Sequence, residues 1–196
     1  DDGRAHTSEL LTALDRIIAR KKAHPKQPMV INLSLGANVE STAYGPLDRA
    51  VQSASRAGIT VVVAAGNERV DARMVTPAHV KEAITVGAYD QANLFAAFSN
   101  YGPAIDLLAP GVEIPSLLPS EDGVVRTGRM TGTSAAAPHV TGAVARYLTV
   151  HPDATPQQIR DALVATSKAR ITGAPSGTTS RTVWIDSLTA PDEATE

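Results

Sequence analysis

The sequence predicts an α/β fold, a parallel sheet with helices on both faces. Three observations predict it. Helix-period segments and short apolar segments alternate along the chain. The central apolar run, "ITVVVAAGN" at 59–67, is continuous rather than alternating, as in a strand covered on both faces. The residues best suited to chemistry, Gly36, Gly66–Asn67 and the turn 131–134, all follow predicted strands, where parallel α/β sheets place their sites.

Each element has its own signal. Leu10, Leu11, Leu14, Ile17 and Ile18 recur at three and four residues and give an amphipathic helix over about 7–23, ended by Pro25 and Pro28. "MVINLSLG" (29–36) is an apolar strand closed by glycine. Leu47, Ala50, Val51 and Ala54 mark a second helix, with Gly58 where a C-terminal cap belongs. Residues 59–67, 83–88 and 104–111 read as strands, and "GVVRTGRM" (123–130) as part of a hairpin leading into Ser134. A long apolar helix follows over about 133–150. Thr155-Pro156-Gln157-Gln158 starts another helix, with threonine at N-cap, proline at N1 and a glutamine placed to close a capping box. "TVWI" (182–185) reads as a late edge strand, and residues 189–196 as a polar tail or linker after a single domain at 1–188.

Composition narrows the function. The 196 residues suffice for one domain with a real core. With 18 basic and 20 acidic residues and no basic run to follow a phosphate backbone, no nucleic-acid partner is expected. Arg20-Lys21-Lys22 falls at a predicted helix end, where basic side chains complement the dipole. No apolar run approaches a membrane span. Without cysteine there are no disulfides, thiolate metal sites or cysteine nucleophiles. The chain opens at Asp1-Asp2-Gly3, with neither an initiator methionine nor a signal-peptide start, and is expected to be cut from a longer one.

Ser134 lies in "TGTSAAAPHV" (131–140), after a glycine that permits close backbone approach and at a helix start with free N–H groups. It reads either as a nucleophile or as a helix N-cap, a position serine favours. Asn67, ending a strand, reads either as an amide donor to an oxyanion or as a turn asparagine. A serine nucleophile needs a base. His139 is unsuited: five helical residues rotate it by about 140° and lift it about 7.5 Å from Ser134, so it reads as a buried helix histidine. His6, His24, His79 and His151 lie in helix starts or loops, and none has the setting of a base.

"VINLSLG", "VVVAAGN", "FSNYG", "LLAPG" and "GTSAAAPHVTG" occur in this order. Together they resemble the subtilisin-like serine proteases, in wording nearest the proteinase K-like and subtilisin branches. The resemblance is close over about 28–150 and looser to about 188. It implies a subtilisin-like fold in which Ser134 is the nucleophile and Asn67 an oxyanion donor beside the Ser134 N–H. It also implies that Ser34, Leu35 and Gly36 wall a groove where a polypeptide substrate adds as a strand. Ala64, Ala65 and Gly66 would line the primary specificity pocket. Glu68 would stand near its rim and favour basic or polar side chains.

The departures are as informative. The family's catalytic aspartate lies in Asp-Thr/Ser-Gly and its histidine in His-Gly-Thr-His-Val-Ala-Gly; neither motif occurs here. Gly36 is followed by Ala37 rather than a second glycine, and 112–129 has no family wording. The family order is aspartate, histidine, serine, so base and aspartate are expected upstream of this chain. The fold is then incomplete on its N-terminal side, with open sheet edges that favour self-association. No cofactor is required. A structural calcium or monovalent cation is the one ion the resemblance offers, at Asp106 with carbonyls near Lys81 and Ala83.

The leading expectation is therefore a segment of a serine endopeptidase, inactive alone and secreted or periplasmic by family. The alternative is a non-catalytic pseudoprotease domain that binds peptides in the same groove. An α/β-hydrolase is disfavoured, because Ala136 stands where the Gly-x-Ser-x-Gly elbow needs its last glycine.

Overall fold

The structure, a computed structural model, describes residues 6–118 and 124–185. In chain order, the elements are α1 (Thr7–Ala23), β1 (Val30–Leu33), β2 (Ala37–Asn38), α2 (Pro46–Arg56), β3 (Thr60–Ala64), β4 (Val75–Thr76), β5 (Ile84–Tyr89), β6 (Leu107–Pro110), β7 (Ile114–Leu118), β8 (Arg126–Met130), α3 (Thr133–Val150), α4 (Pro156–Thr166), β9 (Lys168–Ala169) and β10 (Arg181–Thr182). A 3-10 turn at Ala72–Met74 precedes β4. The main sheet has the order β1-β3-β5-β6-β10-β9, parallel except for the β9–β10 pair.

The continuous apolar run has the environment its composition demands. All five residues of β3 are buried, and they alternate between two cores. Val62 and Ala64 join Ile84, Val86, Leu107 and the α3 residues Ala136, Val140 and Val144. Val61 and Val63 join Ile18 of α1 and Val51 and Ala54 of α2. Period-two alternation thus sends successive valines to opposite layers, and each fully buried valine contributes about 1.5–3 kcal/mol.

The predicted stops hold as well. Gly58 adopts φ +86° after α2. At α4, Thr155 N–H donates to Gln158 Oε1 at 2.9 Å and Gln158 N–H donates back to Thr155 Oγ1 at 3.3 Å. The late strand differs from expectation. The strand is Arg181–Thr182, continued by Val183 N–H donating to Leu108 O at 3.1 Å, and it lies between β6 and β9, so β9 forms that edge. At the other margin, β1 pairs with β3 and, among the described residues, with nothing else. The polar tail at 189–196 lies outside the described residues.

Candidate active site

α3 begins at the carboxyl ends of the parallel strands. Its N-cap is Gly132, at φ 149° and ψ 164°, so Ser134 is the second residue of the helix and not its cap. The turn is fastened to the sheet by Gly132 N–H, which donates to Gly111 O at 2.8 Å. Ser134 Oγ points across to the end of β1 and donates to Ser34 O at 3.3 Å. Ser34 Oγ in turn donates to Ser134 O at 3.0 Å. The two expected site residues, a hundred positions apart, are tied in both directions.

Asn67 comes off β3 and meets the same helix start. Its Oδ1 accepts the N–H of Thr133 at 2.8 Å and the Thr133 hydroxyl at 3.0 Å. An asparagine from another strand thereby satisfies the first orphan N–H of α3. With the oxygen engaged, the amide nitrogen is the end without a hydrogen-bond partner among the described residues. A methyl group built on Gly132 would lie 3.3 Å from Asn67 Nδ2 and 3.7 Å from Ser134 N. Both nitrogens lie around one point beside the helix start, with Asn67 Oδ1 also 3.7 Å from it.

Behind Asn67 stands Asn100, fully buried. Its Nδ2 donates to Ala65 O at 2.8 Å and to Glu68 Oε2 at 2.9 Å. Its Oδ1 accepts Glu68 N–H at 3.1 Å and Val70 N–H at 2.9 Å. Glu68 Oε2 also accepts Asn67 N–H at 2.9 Å. Gly66, at φ +100°, makes the turn; a Cβ there would lie 2.2 Å from Asn100 Nδ2. The loop that presents Asn67 is therefore pinned on a buried amide, a fully bonded group of the kind that rigidifies a site.

A cavity of about 170 Å³ beside Ser134 gathers most of the expected substrate residues: Leu35, Gly36, Ala64, Gly66, Asn67 and Glu68 line it, with Thr133 and Val75. Ala65 is a correction. Expected on the pocket wall, it is fully buried and packs with Ala72, Val75 and Leu108, because neighbours along an extended segment point to opposite sides.

The histidines are accounted for elsewhere. His139 Nδ1 pairs with Ala135 O at 2.9 Å, and the residue is exposed rather than buried as expected. His79 Nδ1 pairs with Arg73 O at 3.1 Å, and its Nε2 lies 3.1 Å from Asp48 Oδ2. His6 and His24 flank α1, and His151 caps α3 and packs on Tyr147.

Asp106, the expected cation ligand, meets a side chain. Arg160 of α4 donates to its Oδ1, and Arg160 Nη1 donates to Lys81 O at 2.5 Å. Burial pushes the Asp106 carboxyl above the usual carboxylate range, while the guanidinium and the Thr85 N–H, at 2.8 Å from Oδ2, pull it back. Sequence reasoning missed Thr133, Asn100 and Arg160. Thr133 and Asn100 stand inside the quoted motifs, which is the signal that marks them; Arg160 stands in none.

The sequence profile described as the subtilase family matches residues 1–184. The extracellular serine proteinase of Thermus sp. (strain Rt41A) is 47% identical over 163 residues, spanning 83% of this chain and 37% of that protein. The cuticle-degrading serine protease of Arthrobotrys oligospora is 42% identical over 146 residues, spanning 74% of this chain and 34% of that protein. The chain thus covers only about a third of the length of these relatives. A cold adapted subtilisin-like serine proteinase superposes with a TM-score of 0.82 at 34% identity, over 94% of this chain and 63% of that one. The ordered motifs, the parallel sheet and these matches converge: the chain belongs to the subtilase family.

Proposed function

We propose that this chain is the nucleophile-bearing portion of a serine endopeptidase, with histidine and aspartate supplied by an upstream segment. The observation that carries the reading is that Asn67 Nδ2 and Ser134 N lie around one point at the start of the helix that bears Ser134. A peptide carbonyl attacked by Ser134 Oγ develops negative charge on its oxygen, and these two nitrogens are the donors that would take it up. The upstream histidine takes the serine proton and later returns it to the leaving amine. A polypeptide substrate runs along Ser34–Gly36 as an added strand, and its primary side chain enters the cavity beside Glu68.

Two features support an upstream partner segment. β1 has an unpaired side among the described residues. On α3, Pro138, His139, Gly142, Ala145, Arg146 and Thr149 are exposed on one face, and nothing lies within 4 Å of a Cβ placed on Gly142. Both surfaces are contiguous, since Thr141 donates to Asn32 at 2.9 Å. Secretion or a periplasmic home is part of the same reading; the Thermus relative's extracellular description supports the former.

The test is fluorophosphonate labelling read by intact mass, with Ser134→Ala as control. The 196-residue chain should not label, and the chain joined to an upstream segment carrying both motifs should. Serine-dependent labelling of the chain alone would place a base inside it. An unlabelled joined protein would leave a peptide-binding pseudoprotease as the better account.

A further inference from the structure

Asp106 and the Lys81 carbonyl are the oxygens the family resemblance offers to a cation, and a positive charge does lie between them. It belongs to the chain. Arg160 sits on the first turns of α4 and reaches back 54 residues to Asp106 and 79 residues to Lys81. One nitrogen of its fork takes the carboxylate and another takes the main-chain carbonyl. Asp106 keeps 9% of its side chain exposed, and its second oxygen is committed to Thr85 N–H.

These residues do not fit calcium. That ion takes six to eight oxygens. Here both carboxylate oxygens and the Lys81 carbonyl already accept hydrogen bonds, and a divalent ion would stand against a guanidinium that cannot be deprotonated. The cavity around Asp106 is lined by Arg73, His79, Lys81 and Arg160 and by no other carboxylate among the described residues, and no group of three or more histidine, cysteine, aspartate or glutamate side chains gathers among those residues to hold an ion. A planar fork with fixed donors meets a carboxylate and a carbonyl on the same edge, a task for which arginine is better shaped than lysine.

We propose that Arg160 is the permanent cation of this site. Its guanidinium does the structural work of a bound ion, tying α4 to the segment before β5 and to the start of β6. This corner of the fold is then independent of calcium and of monovalent cations.

The test is thermal unfolding of the 196-residue chain in excess chelator and in millimolar calcium, with calorimetric titration of calcium as a readout that needs no cooperative transition. The wild-type midpoint should not differ between the two conditions through Asp106. Arg160→Ala should lower the midpoint by about 5–15 °C, as expected when a nearly buried carboxylate loses its partner. Calcium should restore part of that loss and should fail to do so in Arg160→Ala/Asp106→Asn. Arg160→Lys, which keeps the charge but reaches one acceptor, should fall between and serves if the alanine variant does not fold. A wild-type midpoint, or calorimetric binding, that responds to calcium and ceases to respond in Asp106→Asn would overturn the proposal. So would an Arg160→Ala chain with an unchanged midpoint.

Discussion

Thr133 holds Asn67 by its oxygen end, with a backbone N–H at 2.8 Å and a hydroxyl at 3.0 Å. The same hydroxyl accepts Gly66 N–H at 3.1 Å. An amide that swings freely is a poor oxyanion donor; one fixed at two points is preorganised. Thr133 is therefore a positioning residue for the reaction proposed above.

In an active, upstream-joined protein, Asn67→Ala should lower kcat by about 100- to 1000-fold with little change in KM. That magnitude is the one known for subtilisin's own oxyanion-hole asparagine and is carried over from it. Thr133→Val should cost roughly tenfold in kcat, since the backbone N–H still holds Oδ1, and Thr133→Ser should restore it. Steady-state kinetics on a peptide anilide decide it: a KM change with constant kcat would mean that the pair binds substrate and does no more.

Gly66→Ala should destabilise the fold by at least about 2 kcal/mol, through a disfavoured backbone conformation and a clash with a buried amide. The expected collision is with Asn100 Nδ2, 2.2 Å from the added carbon. Urea unfolding measures it. A wild-type midpoint in this variant would show that Asn100 can move, and that the loop is less pinned than its hydrogen bonds imply.

Asp106 carries a pH signature. Burial raises its carboxyl above the ordinary 3.8, so the folded chain binds that proton more readily than the unfolded chain. The linked stability is fully present below 3.8 and is lost as pH rises through the raised folded value. Arg160→Met removes the opposing charge and raises that value further. The stability gap between wild type and variant should widen from acid toward neutral pH, as read from urea midpoints. A gap independent of pH would mean that the two side chains do not share charge.

The isolated chain should self-associate. Among the described residues one side of β1 is unpaired, and the exposed face of α3 lies beside it. Light scattering should give an apparent mass that rises with concentration. A monomer at every concentration would mean that these surfaces are tolerated in water.

Much of this was legible in the sequence. The run at 59–67 announced a strand buried on both sides because no alternation interrupts it, and the Thr155 signal fixed α4 because capping is local chemistry. Ser134 and Asn67 were legible through ordered motifs. What escaped reading depends on distance along the chain. Arg160 acts on residues 54 and 79 positions away, which no local pattern encodes. The two-residue ribbon of β2 and β4 is held by pairing of Ala37 with Thr76 and Asn38 with Val75, far apart along the chain, rather than by propensity. His139 was expected to be buried because an apolar helix surrounds it in sequence. It is exposed because one face of that helix has no covering among the described residues.

In the reaction proposed above, the mutual bonds between Ser34 and Ser134 give the nucleophile a resting state. Its hydroxyl donates to a neutral carbonyl 3.3 Å away. An arriving imidazole competes with a weak acceptor whose position is already set, so the hydroxyl has only to rotate. The serine waits with its safety catch on, and the catch is a part of the wall along which the substrate would run.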